Sequence, residues 1–218
     1  MYNFAEYFIL EKKDFKKSIK TILFTDIVES TKKWAESEKK MFDILEEHDK
    51  RIRKISEEYK GLIIKTIGDA FMITFDKLTD AIKCAEDIQK DLVENPLIIN
   101  KSKIILRIGI CQGPVMESKI KIQGKELIDY LGNTVNTASR MESKVSKQGG
   151  FAFTSLSKED EDLDKLLKDY KVEVIEYKEK DDSEVIRSGR LLTDTHRYIT
   201  KSLDELKGVK KLTAYSCF

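Results

Sequence analysis

Two apolar runs, Leu62–Ile67 and Ala70–Phe75, are separated by Gly68 and Asp69 alone. A chain this rich in β-branched and aromatic residues reverses within two residues only as a tight antiparallel hairpin, with glycine supplying the positive φ. That hairpin fixes the centre of the fold. Upstream, Thr21-Ile-Leu-Phe-Thr-Asp-Ile-Val28 reads as a buried strand. Between strand and hairpin, Trp34, Met41, Ile44, Leu45, Ile52, Ile55 and Tyr59 recur at helical spacing with a charged outer face. Ser30 or Thr31 stands where a helix cap belongs, and Gly61 ends the run.

Downstream, residues 79–93 form a second amphipathic pattern, and Ile104–Ile110 reads as another buried strand with residues 115–122 as its partner. Residues 130–146 read as a helix opening near Gly132-Asn133. Residues 151–154 read as a strand followed by a charged helix. Residues 170–177 alternate like a strand with one wet face, 178–200 are polar without a readable pattern, and 206–215 form a last strand. The order β-α-β-β-α-β-(β)-α-β predicts an α+β fold on the split βαβ, ferredoxin-like plan, with a C-terminal extension.

Charge and composition remove several function classes. Forty basic residues against 39 acidic ones leave a net charge of +1, so the basic surplus of a nucleic-acid binder is missing. No apolar run approaches the roughly 20 residues of a membrane helix, and no secretory signal opens the chain. Cys84, Cys111 and Cys217 lack metal-site spacing, which suits reduced thiols and a cytoplasmic location. There is no GxSxG elbow and no GxxxxGK[ST] loop. His48 falls in a charged helix and reads as a solvated residue without a catalytic partner.

Two aspartates stand out. Asp26 ends the first strand and Asp69 occupies the hairpin turn. In a ferredoxin-like sheet the first strand lies beside that hairpin, so the carboxylates converge at one sheet end. Paired hard-oxygen ligands suit two Mg²⁺ or Mn²⁺ ions, which activate an attacking hydroxyl and hold a leaving phosphate. An ordinary turn aspartate is the structural alternative. Asn136 and Arg140, four residues apart, share one helical face.

Four segments carry a family resemblance. They are Phe24-Thr-Asp-Ile-Val-Glu-Ser-Thr31, Ile64-Lys-Thr-Ile-Gly-Asp-Ala-Phe71, Arg107-Ile-Gly-Ile110 and Asp129-Tyr-Leu-Gly-Asn-Thr-Val-Asn-Thr-Ala-Ser-Arg-Met-Glu-Ser143. In this order they closely resemble the class III adenylyl and guanylyl cyclase catalytic domain. The resemblance covers about residues 20–155 and resumes at Leu206-Lys-Gly-Val-Lys-Lys-Leu-Thr-Ala-Tyr215. Residues 1–20, which end in a charged stretch, read as a leader or linker, and the resemblance implies a catalytic domain over 21–218, with 156–205 poorly aligned.

The resemblance also implies roles. Asp26 and Asp69 match the metal aspartates, and the Ile27 carbonyl completes one metal site. Backbone amides with Ser30 and Thr31 hold the triphosphate at the start of a helix. Asn136 orients the ribose and Arg140 stabilises the pentacovalent phosphate. Arg107 and Lys207 match residues that meet the β- and γ-phosphates, although Arg107, in an apolar strand, suits a structural ion pair almost equally. Lys65 and Asp129 match the purine-reading pair of adenylyl cyclases. The chemistry agrees: lysine donates to adenine N1 and aspartate accepts from its amino group, whereas guanine reverses that edge. A sheet-edge lysine is the alternative for Lys65.

In this family one site draws on two domains. Lys65 and Asp69 are four residues apart yet serve opposite faces, so one copy cannot complete a site and a head-to-tail homodimer is implied. ATP conversion to cyclic AMP is the leading expectation. GTP or a pyrimidine triphosphate as substrate, and a catalytically silent module, are the alternatives. A palm-type polymerase or diguanylate cyclase would want GG[DE]EF at the hairpin, which Lys65-Thr-Ile-Gly-Asp-Ala is not.

Overall fold

The computed structural model describes residues 16–122, 125–156, 173–179, 185–191 and 211–217. Strand β1 (Lys16–Ile27) leads into helices α1 (Ser30–Glu36) and α2 (Glu38–Glu58), then β2 (Leu62–Ile67), β3 (Ala70–Phe75) and α3 (Leu78–Glu94). A small β4 (Ile98–Ile99) and β5 (Ser102–Lys103) ribbon precedes the long β6 (Leu106–Ile122) and β7 (Lys125–Leu131). Helix α4 (Asn133–Arg140) runs into a π-turn (Met141–Val145), then β8 (Phe151–Ser155), β9 (Glu173–Glu179), β10 (Val185–Leu191) and β11 (Lys211–Cys217).

Among the described residues, the main sheet has the order β10-β9-β11-β8-β6-β1-β3-β2, with β7 paired to β6. Its β6-β1-β3-β2 part is antiparallel throughout, with β1 between the hairpin and β6. This is the split βαβ plan expected from the sequence. Gly68 takes φ 64° at the first turn position, which is what a two-residue hairpin with glycine leading requires.

The β6-β1-β3 part of the sheet buries both faces because its strands alternate two apolar sets. Leu23, Ile27, Ile73, Ile108 and Ile110 meet Met41 and Ile52 of α2 and Ala81, Ile82, Ala85 and Ile88 of α3. On the opposite face, Ile22, Phe24, Met72, Cys111 and Val115 meet Tyr130 of β7 and Ala138 of α4. The three cysteines are free, buried thiols, and burial pushes Cys84 and Cys217 up to about 12.

Several boundaries differ from the sequence reading. The helix expected over 34–59 is two helices, parted at Ser37, whose hydroxyl accepts from the Lys40 amide at 3.5 Å and caps α2. Neither Ser30 nor Thr31 caps α1; Glu29 holds that place in a left-handed conformation at φ 57° without a side-chain cap. Residues 104–110 and 115–122 are not two paired strands. One strand, β6, runs through Pro114, which pairs with Ile19 of β1. Tyr130 and Leu131 end β7 rather than open a helix. β10 lies in the polar stretch that offered no pattern. The charged helix expected after residue 154 falls outside the described residues.

Candidate active site

Asp26, next to last in β1, lies on the face that carries Ile22 and Phe24, because alternate strand residues share a face. Its partner on β6 is Arg107. The Arg107 Nη2 donates to Asp26 Oδ2 at 2.6 Å, with both side chains 30% exposed. Arg107 Nε also lies 3.0 Å from Glu142 Oε1 in the π-turn, close enough for an ion pair but not aligned as a hydrogen bond. Burial pushes the Glu142 carboxyl up to about 7, against the pull of Arg107. The ion pair foreseen for Arg107 is therefore present, and its partner is the first candidate metal ligand.

Asp69 follows Gly68 in the hairpin turn. β1 and β3 pair Phe24 with Met72; continued two residues, that register sets Asp26 across from Ala70, beside Asp69. Asp69 Oδ2 is buried and has no hydrogen-bond partner. Below the hairpin lies His48, with its ring centroid 5.8 Å from that of Phe71. It is 1% exposed, which corrects the solvated reading. Met41, His48, Ile52 and Ser56 form the buried stripe of α2, so the ring points inward although its neighbours in sequence are charged. Burial lowers its pKa, opposed by Asp49 and Asp69.

Lys65 and Asp129 meet although 64 residues separate them. The ammonium donates to both carboxylate oxygens, at 2.8 and 2.6 Å. A β-bulge makes this possible. Ile63 pairs with Ile73, but Lys65 pairs with Met72. Without the extra residue Lys65 would share the face of Ile63, under the helices. The bulge turns it to the face of Met72, where β7 presents Asp129.

Helix α4 buries Thr134, Thr137 and Ala138 against the sheet. Asn136 is exposed and Arg140 half-buried on its other side. Ile27 is buried, and Ser30 and Thr31 begin α1. The loop between is held by buried Lys33, whose ammonium donates to the Val28 carbonyl at 2.6 Å. Lys207 lies outside the described residues.

The arrangement fits a hard divalent cation. Two carboxylates stand at one sheet end, and the buried Asp69 oxygen lacks the partner that a buried carboxylate normally has. Among the described residues no group of three or more His, Cys, Asp and Glu is placed to hold a metal. The candidate set needs none, being two carboxylates and a backbone carbonyl.

A model of the adenylate and guanylate cyclase catalytic domain matches residues 13–154. The chain belongs to that family. Receptor-type adenylate cyclase B of Leishmania donovani is 39% identical over 75 residues, covering 34% of this chain and 6% of that protein. An adenylate cyclase of Lachancea kluyveri is 31% identical over 153 residues, covering 62% and 8% respectively. The chain thus spans less than a tenth of the length of these relatives. The guanylate cyclase domain of RhGC from Catenaria anguillulae, solved with GTP, superposes with a TM-score of 0.66 at 23% identity, over 92% of this chain and 97% of that one. An adenylyl cyclase from P. aeruginosa gives 0.63 at 21% identity, over 94% and 95%. These likenesses show the fold. Among the described residues no helix is long and apolar enough to cross a membrane.

Sequence reasoning missed Glu142, His48 and Lys33 as parts of this region. Glu142 stood inside a recognised segment with no role attached. Its signal was Gly109, whose missing side chain lets the π-turn backbone approach β6 beside Arg107: an added Cβ would lie 2.0 Å from the Glu142 amide nitrogen.

Proposed function

We propose that this chain converts ATP to 3′,5′-cyclic AMP and pyrophosphate at sites shared between two copies. The observation that carries the choice of ATP is the Lys65–Asp129 pair, a donor and an acceptor side by side. Adenine offers an acceptor at N1 and a donor at its amino group, so it replaces both members' bonds when it separates them. Guanine presents a donor and an acceptor in the reverse places and leaves both side chains unpaired, at about 1–3 kcal/mol each.

Asp26, Asp69 and the Ile27 carbonyl would hold two Mg²⁺ or Mn²⁺ ions, which lower the pKa of a bound hydroxyl and offset charge on phosphate oxygens. The chain's own groups do the rest. Asn136 orients the ribose so that its 3′-oxygen faces the α-phosphate. Arg140, one helical turn along the same face, neutralises the charge that grows on the equatorial oxygens. Arg107 and Lys207 bind the outer phosphates and hold the leaving pyrophosphate, while the amides near Ser30 and Thr31 orient the chain of phosphates. No side-chain base is required.

The test is product analysis. Purified protein is incubated with ATP, GTP, CTP and UTP under one Mn²⁺ or Mg²⁺ condition, and kcat/KM is measured for each. ATP should lead GTP by at least about tenfold, the effect of one unpaired polar group. A better rate with any other nucleotide would overturn the adenine assignment, and no cyclic product from any of the four would overturn the activity.

A further inference from the structure

Arg107 lies between two carboxylates and is hydrogen-bonded to one of them. Its Nη2 is bonded to Asp26 at 2.6 Å. Its Nε, although 3.0 Å from Glu142, is buried without a hydrogen bond, and so is the Glu142 Oε1 that it faces. That ion pair is close but poorly aligned, so the guanidinium is shared unequally between the two carboxylates. Rotation of the guanidinium toward Glu142 would align that pair and release Asp26. A divalent ion and the guanidinium compete for the Asp26 carboxylate, because each neutralises the same negative charge and Oδ2 already accepts from the arginine.

We propose that Arg107 is the resident counter-ion of Asp26 and that metal entry is an exchange of cations, in which the guanidinium passes from Asp26 to Glu142. The inference rests on the metal assignment above. It adds that the nucleotide-free protein opposes its own metal and that Glu142 receives the displaced arginine. Arg107 is then already turned away from Asp26, toward the α4 side, when a triphosphate arrives.

The experiment measures Mn²⁺ binding to the nucleotide-free full chain by loss of the free-ion electron paramagnetic resonance signal. The proteins are wild type, Arg107→Gln, Glu142→Gln, the double variant and Asp26→Asn, each checked for fold by circular dichroism. Arg107→Gln should bind Mn²⁺ at least about threefold more tightly, the worth of a partly exposed ion pair. Glu142→Gln should bind more weakly, and that loss should vanish in the double variant, since no arginine is left to receive. A simple change in local charge would instead leave the Glu142 effect intact in the double variant and would overturn the exchange. Equal or weaker binding by Arg107→Gln also overturns it. If Arg107→Gln does not fold, unchanged binding by Glu142→Gln overturns it. Asp26→Asn separates the two levels: if it binds as well as wild type, the metal assignment itself has failed, whereas a clear loss there with no gain in Arg107→Gln removes only the exchange.

Discussion

At the scale of single residues, the polar groups that the sequence hid are those whose setting comes from the third dimension. His48 follows Glu46 and Glu47, and nothing in that run distinguishes a wet imidazole from one against Phe71. Asp26, Asp69, Lys65 and Asp129 were legible because short segments around them carry a pattern. Glu142 has a consequence for stability. Its folded pKa, about 7, lies above the ordinary carboxyl value of 4.5 because it is buried. Between those two values the folded protein keeps a proton that the unfolded chain gives up. The stabilisation is complete below about pH 4.5 and is lost as pH rises through 7. Unfolding by urea at pH 5 and pH 8 should therefore show a fall in stability for wild type that is smaller in Glu142→Gln, by up to about 3 kcal/mol. Equal falls in the two proteins would contradict the burial argument.

At the scale of elements, the strands and helices that alternate cleanly were readable, and the irregular ones were not. The β2–β3 hairpin followed from its two-residue turn. The bulge that turns Lys65 over did not, because Leu62-Ile-Ile-Lys is compatible with either register until β3 is beside it. β7 escaped because Lys125–Leu131 mixes exposed Leu127 and Leu131 with buried Tyr130, so its apolar positions do not mark its inner face. The placing of α4 and the π-turn depends on one residue of β6. A Cβ at Gly109 would lie 2.0 Å from the Glu142 nitrogen and 2.5 Å from the Ala138 carbonyl oxygen, all main-chain atoms. Those atoms cannot step aside as a side chain can. Gly109→Ala should therefore lower unfolding free energy by about 1–3 kcal/mol or more, measured by urea denaturation. It should also reduce turnover beyond what stability explains, since α4 carries Asn136 and Arg140. A stable, fully active variant would show that the helix is not seated on that glycine.

At the scale of the whole molecule, the element order already indicated the α+β plan, and the family membership agrees with it. The proposed shared site makes a sharp demand on mixtures. Asp69→Ala damages the metal half and Arg140→Ala the other half, so each homodimer lacks activity. A mixed dimer holds one intact site and one doubly damaged site. After verified subunit exchange the mixture should approach about a quarter of wild-type activity, because half the dimers are mixed under random pairing. A mixture as silent as its parents would sink the shared site.

The bulged hairpin gives that arrangement a mechanical side. Lys65 and Asp69 belong to the same β2–β3 ribbon, yet in the proposed dimer one serves a base and the other a metal in the opposite site. A purine that parts Lys65 from Asp129 would act on the same two-stranded ribbon whose turn carries Asp69. In the proposed dimer the ribbon is thus one short lever shared by two sites, with a base-reading group near one end and a metal-site carboxylate at its turn.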